Sequence, residues 1–476
     1  MSALDRRTFL RRAAALGGGA FFAPSLSGLT LWSDASAATA LRTRDNGGYG
    51  DLVQSVDCPE LWIPPDFRVV RLSRSRTPSQ ADPGFIVPNA MDGMAAFPLP
   101  NGNIRLIRNH EMVNPASRPE PLGSRPYDPL ASGGTTSLEV AMSGSGPDRV
   151  VTVTAEYVSL GGTHVNCAGG STPWGTWLSC EETTNGLTHG FTRPHGYIFE
   201  VPVDAEGPVD PVPLRDMGRF VHEAVAVDPR TSIVYETEDA RWSPDDPERL
   251  PGSGFYRFLP DTPGRLADGG RLQILAVRGS PRYNTAIGQR VGNRLPVQWI
   301  DVRDPDPIIA ETDPAALFRA GYRSGAALFQ RLEGCFWADE SCYFVSTSGG
   351  DARAGQVWRY VPGEDEGWIT LVFESPGRDI LDAPDNICVT GRGGIVICED
   401  GVSDQFVRGL TSAGVMVDLV KQPDIDGELD PTEFAGCCFS PDSQVLFFNV
   451  QGSTRSYQDR PGHTYALWGP WERGML

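Results

Sequence analysis

A pattern that recurs six times constrains this chain more than any other feature of its sequence. Each copy is a polar residue, an apolar strand, a short turn, a second apolar strand and a closing polar or acidic cluster. The first copy runs from Asp92-Gly93-Met94 to Ile107-Arg108-Asn109-His110-Glu111. The second runs from Asn166-Cys167-Ala168 to Leu178-Ser179-Cys180-Glu181-Glu182. The third runs from His222-Glu223-Ala224 to Tyr235-Glu236-Thr237-Glu238-Asp239, and the fourth from Leu332-Glu333-Gly334 to Val345-Ser346-Thr347-Ser348. The last two run from Pro384-Asp385-Asn386 to Ile397-Cys398-Glu399-Asp400-Gly401, and from Glu433-Phe434-Ala435-Gly436 to Phe448-Asn449-Val450-Gln451-Gly452. Turns such as Pro100-Asn101-Gly102-Asn103, Gly391-Arg392-Gly393-Gly394 and Ser440-Pro441-Asp442-Ser443 supply hairpin chemistry, so each copy reads as a β-hairpin.

Successive copies begin roughly 50 to 75 residues apart, with one gap of about 110, the spacing of four-stranded blades with one insertion. The expectation is an all-β chain: a six-bladed β-propeller in which residues 41–476 form a single domain. The long insertion is placed in the Pro- and Arg-rich stretch Asp261 to Asp313. A pair of β-sandwiches would also give many short strands, but not the same grammar six times.

Hairpin geometry carries the pattern towards chemistry, because the start of strand one and the end of strand two lie at the same end of a hairpin. If the hairpins are the inner strands of blades, their polar clusters meet at one mouth of a central channel. Those clusters hold Asp92, Glu111, Glu181, Glu182, Glu223, Glu238, Asp239, Glu333, Asp385, Glu399, Asp400 and Glu433. So many carboxylates cannot all stay ionised side by side without cations. Hard oxygen donors favour calcium, magnesium or manganese, and a thiolate among them, with Cys180 beside Glu181-Glu182 as the candidate, admits iron. With His 6 in the whole chain, a zinc site built of imidazoles is disfavoured.

Other local signals sort by the same logic. His222-Glu223 lacks the second histidine of a zincin motif, so Glu223 reads as a cation ligand and His222 as a packing residue. Asn109-His110-Glu111 reads either as a ligand set or as an ordinary turn. Arg331, two residues before Glu333, either grips an anionic substrate or closes a salt bridge. The run Gly169-Gly170-Ser171-Thr172-Pro173-Trp174-Gly175-Thr176-Trp177 lacks the Gly-Lys-Ser/Thr end of a phosphate loop and reads as a tight corner. No G-x-S-x-G elbow occurs, which argues against an α/β-type serine hydrolase.

The amino terminus carries Arg6-Arg7-Thr8-Phe9-Leu10, then an apolar run from Ala13 to Leu31 broken by Gly17-Gly18-Gly19 and Pro24, then Ala38-Thr39-Ala40. This is a twin-arginine signal peptide over residues 1–40 rather than a membrane anchor. It implies handling by the twin-arginine translocase and a periplasmic or secreted location. That route carries folded proteins, often with a cofactor already inserted. A formal net charge of −19 argues against nucleic acid as a partner. Nine cysteines, an odd number, read mostly as small buried side chains rather than disulfides; even the close pairs Cys335/Cys342 and Cys388/Cys398 flank short turns. A monomer is expected.

The segment Asn166-Cys167-Ala168-Gly169-Gly170-Ser171-Thr172-Pro173-Trp174-Gly175-Thr176-Trp177-Leu178-Ser179-Cys180-Glu181-Glu182 resembles the PhoX-type alkaline phosphatases. The likeness extends through Arg108-Asn109-His110-Glu111, Gly218-Arg219-Phe220-Val221-His222-Glu223, Arg331-Leu332-Glu333 and Pro384-Asp385-Asn386-Ile387, and so covers most of the mature chain. The resemblance implies a six-bladed propeller that hydrolyses phosphate monoesters with iron and calcium ions. It implies that Cys180, Glu223 and Glu333 match iron-ligand positions and that Glu111, Glu181, Glu182, Asp239, Asp385 and Glu433 are calcium or shared ligands. Arg331 then looks like a phosphate-holding arginine, so that Arg331, Glu333 and Cys180 form the catalytic set for a small phosphorylated substrate.

The chain departs from the family pattern in two places. Glu238-Asp239-Ala240-Arg241 only loosely matches an acidic motif of Gly-Asp-Asp type, and Val450-Gln451-Gly452 stands where a His-Pro-Gly segment would be expected. A related calcium-dependent hydrolase of phosphodiesters or lactones, and a non-catalytic calcium-stiffened binding module, are the alternatives. The module would need neither a thiolate–metal bond nor an arginine for phosphate.

Overall fold

The computed structural model describes residues 45–113, 122–240, 252–363, 366–423, 432–454 and 460–476. The segment read as a signal peptide, residues 1–40, lies outside the described residues. All six predicted hairpins form. They are Met91–Pro98 with Ile104–His110, Asn166–Ser171 with Thr176–Glu181, and His222–Val227 with Val234–Glu238. The other three are Leu332–Ala338 with Ser341–Ser346, Pro384–Val389 with Ile395–Glu399, and Phe434–Phe439 with Val445–Val450. Short turns of Gly, Asn, Asp and Pro leave the apolar runs on either side no alternative but to pair with each other.

The arrangement is all-β and propeller-like, with five sheets of six, three, nine, four and four strands. The first strands of the six hairpins pack against one another in chain order. Phe434–Phe439 returns to the side of Met91–Pro98, so the order closes into a ring. The closure is covalently distant: Arg68–Arg74, near the start of the described chain, pairs with His463–Trp468 near its end. The first and last parts of the chain thus share one sheet, which ties the ring shut.

Close approach of the inner strands needs small residues. A Cβ on Gly334 would lie 2.5 Å from the Asp385 carbonyl oxygen, and one on Gly436, whose φ is +60°, would lie 2.4 Å from that of Asp92. Between blades the packing is apolar and aromatic, as where Phe255 stacks on Phe344 at 4.3 Å. Buried Arg108 joins the first and last parts of the ring: it pairs with Glu156 of its own sheet at 3.1 Å and donates across to Thr464 at 2.6 Å.

The stretch Asp261 to Asp313 is not a single irregular insertion. Gly270–Val277 within it is an ordinary strand paired with Phe255–Pro260. Arg294–Asp301 extends that sheet and also pairs with Trp368–Glu374, fusing two sheets into the nine-stranded one. Its inward residues are Val297 and Trp299, while Arg294, Pro296 and Gln298 face outward, and that polar face hid the strand in the sequence. The remaining surplus carries a short helix, Ala316–Arg323, that buries Leu317 and Phe318.

Candidate metal centre

Every one of the six hairpins breaks register near the start of its first strand, after the first residue in five of them and after the second in the last. The irregularities fall between Met91/Met94, Asn166/Gly169, His222/Val225, Leu332/Cys335, Pro384/Ile387 and Ala435/Cys438. A bulge leaves extra residues unpaired and re-aims a side chain. The leading bulged residues are Asp92, Cys167, Glu223, Glu333, Asp385 and Gly436, so five of the six carry a metal-ligand group to one end of the ring.

The second strands add to this end by simple alternation. Where a strand ends in two polar residues, the last residue in the strand turns into its own sheet and the next one faces the ring. His110 is held by Asn89 and Thr136, and Glu181 by His195 and the Gly196 and Tyr197 amides. Glu238 accepts from Gly254 and Tyr256, and Glu399 pairs with Arg408. Their successors, Glu111, Glu182, Asp239 and Asp400, act on the acids of the ring.

Three groups of donor atoms result, each with its atoms within 4.8 Å of one another: Cys167, Glu182 and Glu223; Glu223, Glu333 and Asp385; and Asp92, Asp385 and Glu433. Glu223 and Asp385 each belong to two groups, which fuses the three into one patch. Behind it the inner strands line an open-mouthed cavity of about 290 Å³, with Ala95, Val225, Phe336, Trp337 and Ile387 among its walls. That apolar backing strengthens every charge interaction in the patch.

Burial holds the carboxyls of Asp92, Glu111, Glu182, Glu223, Glu333 and Glu433 well above the usual carboxylate range, and neighbouring carboxylates push them further. Asp385 is pushed up to about 8 by burial and then by Asp400. Burial also raises the Cys167 thiol, which donates to the His222 carbonyl oxygen at 3.2 Å. These donors fit cations: several hard oxygens and one thiol, buried, whose negative forms only bound positive charge would stabilise.

The structure brings together five of the nine residues expected as ligands: Glu182, Glu223, Glu333, Asp385 and Glu433. The other four stand outside these groups: Cys180 and Glu181 are turned away from the patch, while Glu111 and Asp239 lie at its edge. Cys180 is fully buried in the apolar core with Leu178 and Ile198, and the thiol among the acids belongs to Cys167. Glu181 is satisfied by His195 and backbone amides. Glu111 shares the Gln451 side-chain amide with Asp92, at 2.6 and 2.9 Å. Asp239 grips Arg331 through Nε and Nη2, at 3.0 and 2.9 Å. Arg331 therefore does close a salt bridge, and it reaches Glu333 Oε1 at 2.6 Å as well. His222 packs as expected, donating from Nε2 to the Gly218 carbonyl at 3.1 Å.

Sequence reasoning missed Cys167 and left Asp92 outside the ligand set. The signal was available, because both stand at the same position of the repeat as Glu223, Glu333 and Asp385. All nine cysteines are buried, and none forms a disulfide.

No curated protein matches the sequence. Among solved structures, the PhoX of Pseudomonas fluorescens, determined in complex with vanadate as a transition state analogue, superposes with a TM-score of 0.63 at 17% identity. The match covers 90% of this chain and 98% of that one. A protein of unknown function from Dyadobacter fermentans gives a TM-score of 0.44 at 9% identity, over 85% and 100% of the two chains. Virginiamycin B lyase from Staphylococcus aureus gives 0.32 at 12% identity, over 84% and 98%. The alkaline phosphatase PhoX family matches residues 47–453. Because that match spans all six hairpins and the patch they build, the chain belongs to the PhoX family of alkaline phosphatases.

Proposed function

We propose that this protein is a phosphomonoesterase exported through the twin-arginine route, and that the fused patch holds its catalytic cations. The observation that carries the reading is the patch itself: a thiol and six buried or half-buried carboxylates converge beside one guanidinium. Cys167, Glu182 and Glu223 form the donor set suited to iron, because a thiolate favours a softer cation. Asp92, Asp385 and Glu433 form an all-oxygen set suited to calcium. Glu223, Glu333 and Asp385 link the two.

Bound cations supply Lewis-acid stabilisation of the negative oxygens of a phosphoryl group. The chain's own residues do the rest. Five of the bulges hold donors on inner strands, so little reorganisation is needed when an anion arrives. Arg331 adds the positive charge that selects a phosphate ester over a neutral ester.

We read the five sheets as six blades by dividing the nine-stranded sheet at Arg294–Asp301, a reading supported by the six repeats in the sequence. A periplasmic or secreted monomer acting on small phosphorylated molecules completes the proposal. The test is a panel of chromogenic substrates given to protein loaded with iron and calcium. Hydrolysis of phosphate monoesters is the expected result. Turnover of a lactone or a phosphodiester alone would contradict it.

A further inference from the structure

Arg331 is held more tightly than an arginine waiting for a substrate needs to be. Its backbone lies at φ +47°, in the left-handed region that side-chain-bearing residues rarely adopt. Its N–H donates to the Ala240 carbonyl at 3.1 Å and its carbonyl accepts from Thr347 at 2.9 Å. The chain next to Asp239 thus fixes the backbone of the residue whose side chain Asp239 also grips.

That grip has a specific shape. Nε lies 3.0 and 3.2 Å from the two Asp239 oxygens, and Nη2 lies 2.9 Å from Oδ2 and 2.6 Å from Glu333 Oε1. One edge of the guanidinium is therefore fully engaged. Among the described residues no hydrogen bond reaches Nη1, and the side chain keeps 20% of its surface exposed. Asp239 belongs to none of the three donor groups, although its neighbour in the patch, Glu333, does. A planar group clamped along one edge has lost its rotational freedom, and what it presents is Nη1.

We propose that Asp239 is a positioning residue: it clamps Arg331 so that Nη1 alone meets a phosphoryl oxygen, of the ester before hydrolysis and of inorganic phosphate after it. The proposal rests on the phosphatase reading above. It replaces the expectation that Asp239 is a cation ligand. It also makes the arginine's contact with phosphate single rather than bidentate.

The experiment uses the full chain loaded with iron and calcium, with inorganic phosphate as the probe. Phosphate affinity is measured by calorimetry and metal content by elemental analysis, for the parent, Asp239→Asn, Arg331→Ala and the double variant. Asp239→Asn is expected to weaken phosphate about tenfold, the scale of one charge-assisted contact, with metal content unchanged. In the Arg331→Ala background the same change should weaken it no further. A second single variant, Arg331→Lys, keeps the charge but cannot be clamped along an edge, and should lose affinity to a similar extent.

Loss of metal from Asp239→Asn, parent-like phosphate affinity in Asp239→Asn or in Arg331→Lys, or an undiminished effect of Asp239→Asn without Arg331 would each overturn the proposal. If the loaded parent hydrolyses monoesters and binds phosphate while these variants behave like it, only the positioning role fails. If the loaded parent does neither, the phosphatase reading fails and the positioning role with it.

Discussion

Stripping the protein of cations should make its folded state lose stability as pH rises. The Asp385 carboxyl shows why. Burial and the Asp400 charge hold it at about 8, against an ordinary 3.8. A carboxyl whose folded value lies above its unfolded one favours the folded state while it is protonated. Its contribution is complete below the unfolded value and is lost as pH rises through the folded one. At about 1.4 kcal/mol for each pH unit between those values, Asp385 alone is worth on the order of 5 kcal/mol. The same sign holds for Asp92, Glu111, Glu182, Glu223, Glu333 and Glu433, all raised by burial. The assay is guanidinium unfolding of chelator-treated protein at mildly acid and mildly alkaline pH, with and without added calcium. The stripped protein should be markedly less stable at the alkaline end, calcium should restore it, and Asp385→Asn should flatten the stripped profile by several kcal/mol. Equal stability at both ends, or an Asp385→Asn profile as steep as the parent's, would refute the reasoning.

Two further outcomes are expected. Cys167→Ser should abolish thiolate-to-iron charge-transfer absorption and release bound iron, whereas Cys180→Ser should keep both and cost about 1–2 kcal/mol for a hydroxyl buried in the apolar core; absorption spectra and unfolding midpoints separate the two. Glu156→Ala leaves Arg108 charged and fully buried without its carboxylate, so it should lower unfolding stability by about 3–5 kcal/mol while metal content stays at the parent level.

The hairpins were legible because their turns are punctuated and their apolar runs are short; Asn166–Ser171 and Thr176–Glu181 begin and end close to where the repeat placed them. The convergence of acids followed from the hairpin ends alone. What the repeat did not supply was side-chain direction. Cys180 looked like the thiolate because it adjoins Glu181-Glu182, yet it packs in the apolar core, and at the strand end alternation turns Glu181 inward and leaves Glu182 to the ring. The same parity sets Glu181, Glu238 and Glu399 apart from Glu182, Asp239 and Asp400. The bulges that aim Cys167 and Asp92 depend on tight contact between neighbouring first strands, as at Gly334 and Gly436, and that is a property of the closed ring. The strand Arg294–Asp301 was hidden for a related reason: half its residues are exposed, three of them polar and the fourth a proline.

The central claim is that cations on the acid-and-thiol patch carry phosphate ester hydrolysis. The most direct measurement is phosphomonoesterase activity of the protein before chelation, after it, and after stepwise return of iron and calcium, with metal content determined at each stage. The account predicts that activity disappears with the metals and returns only when both are restored. Undiminished ester hydrolysis by fully stripped protein would contradict it.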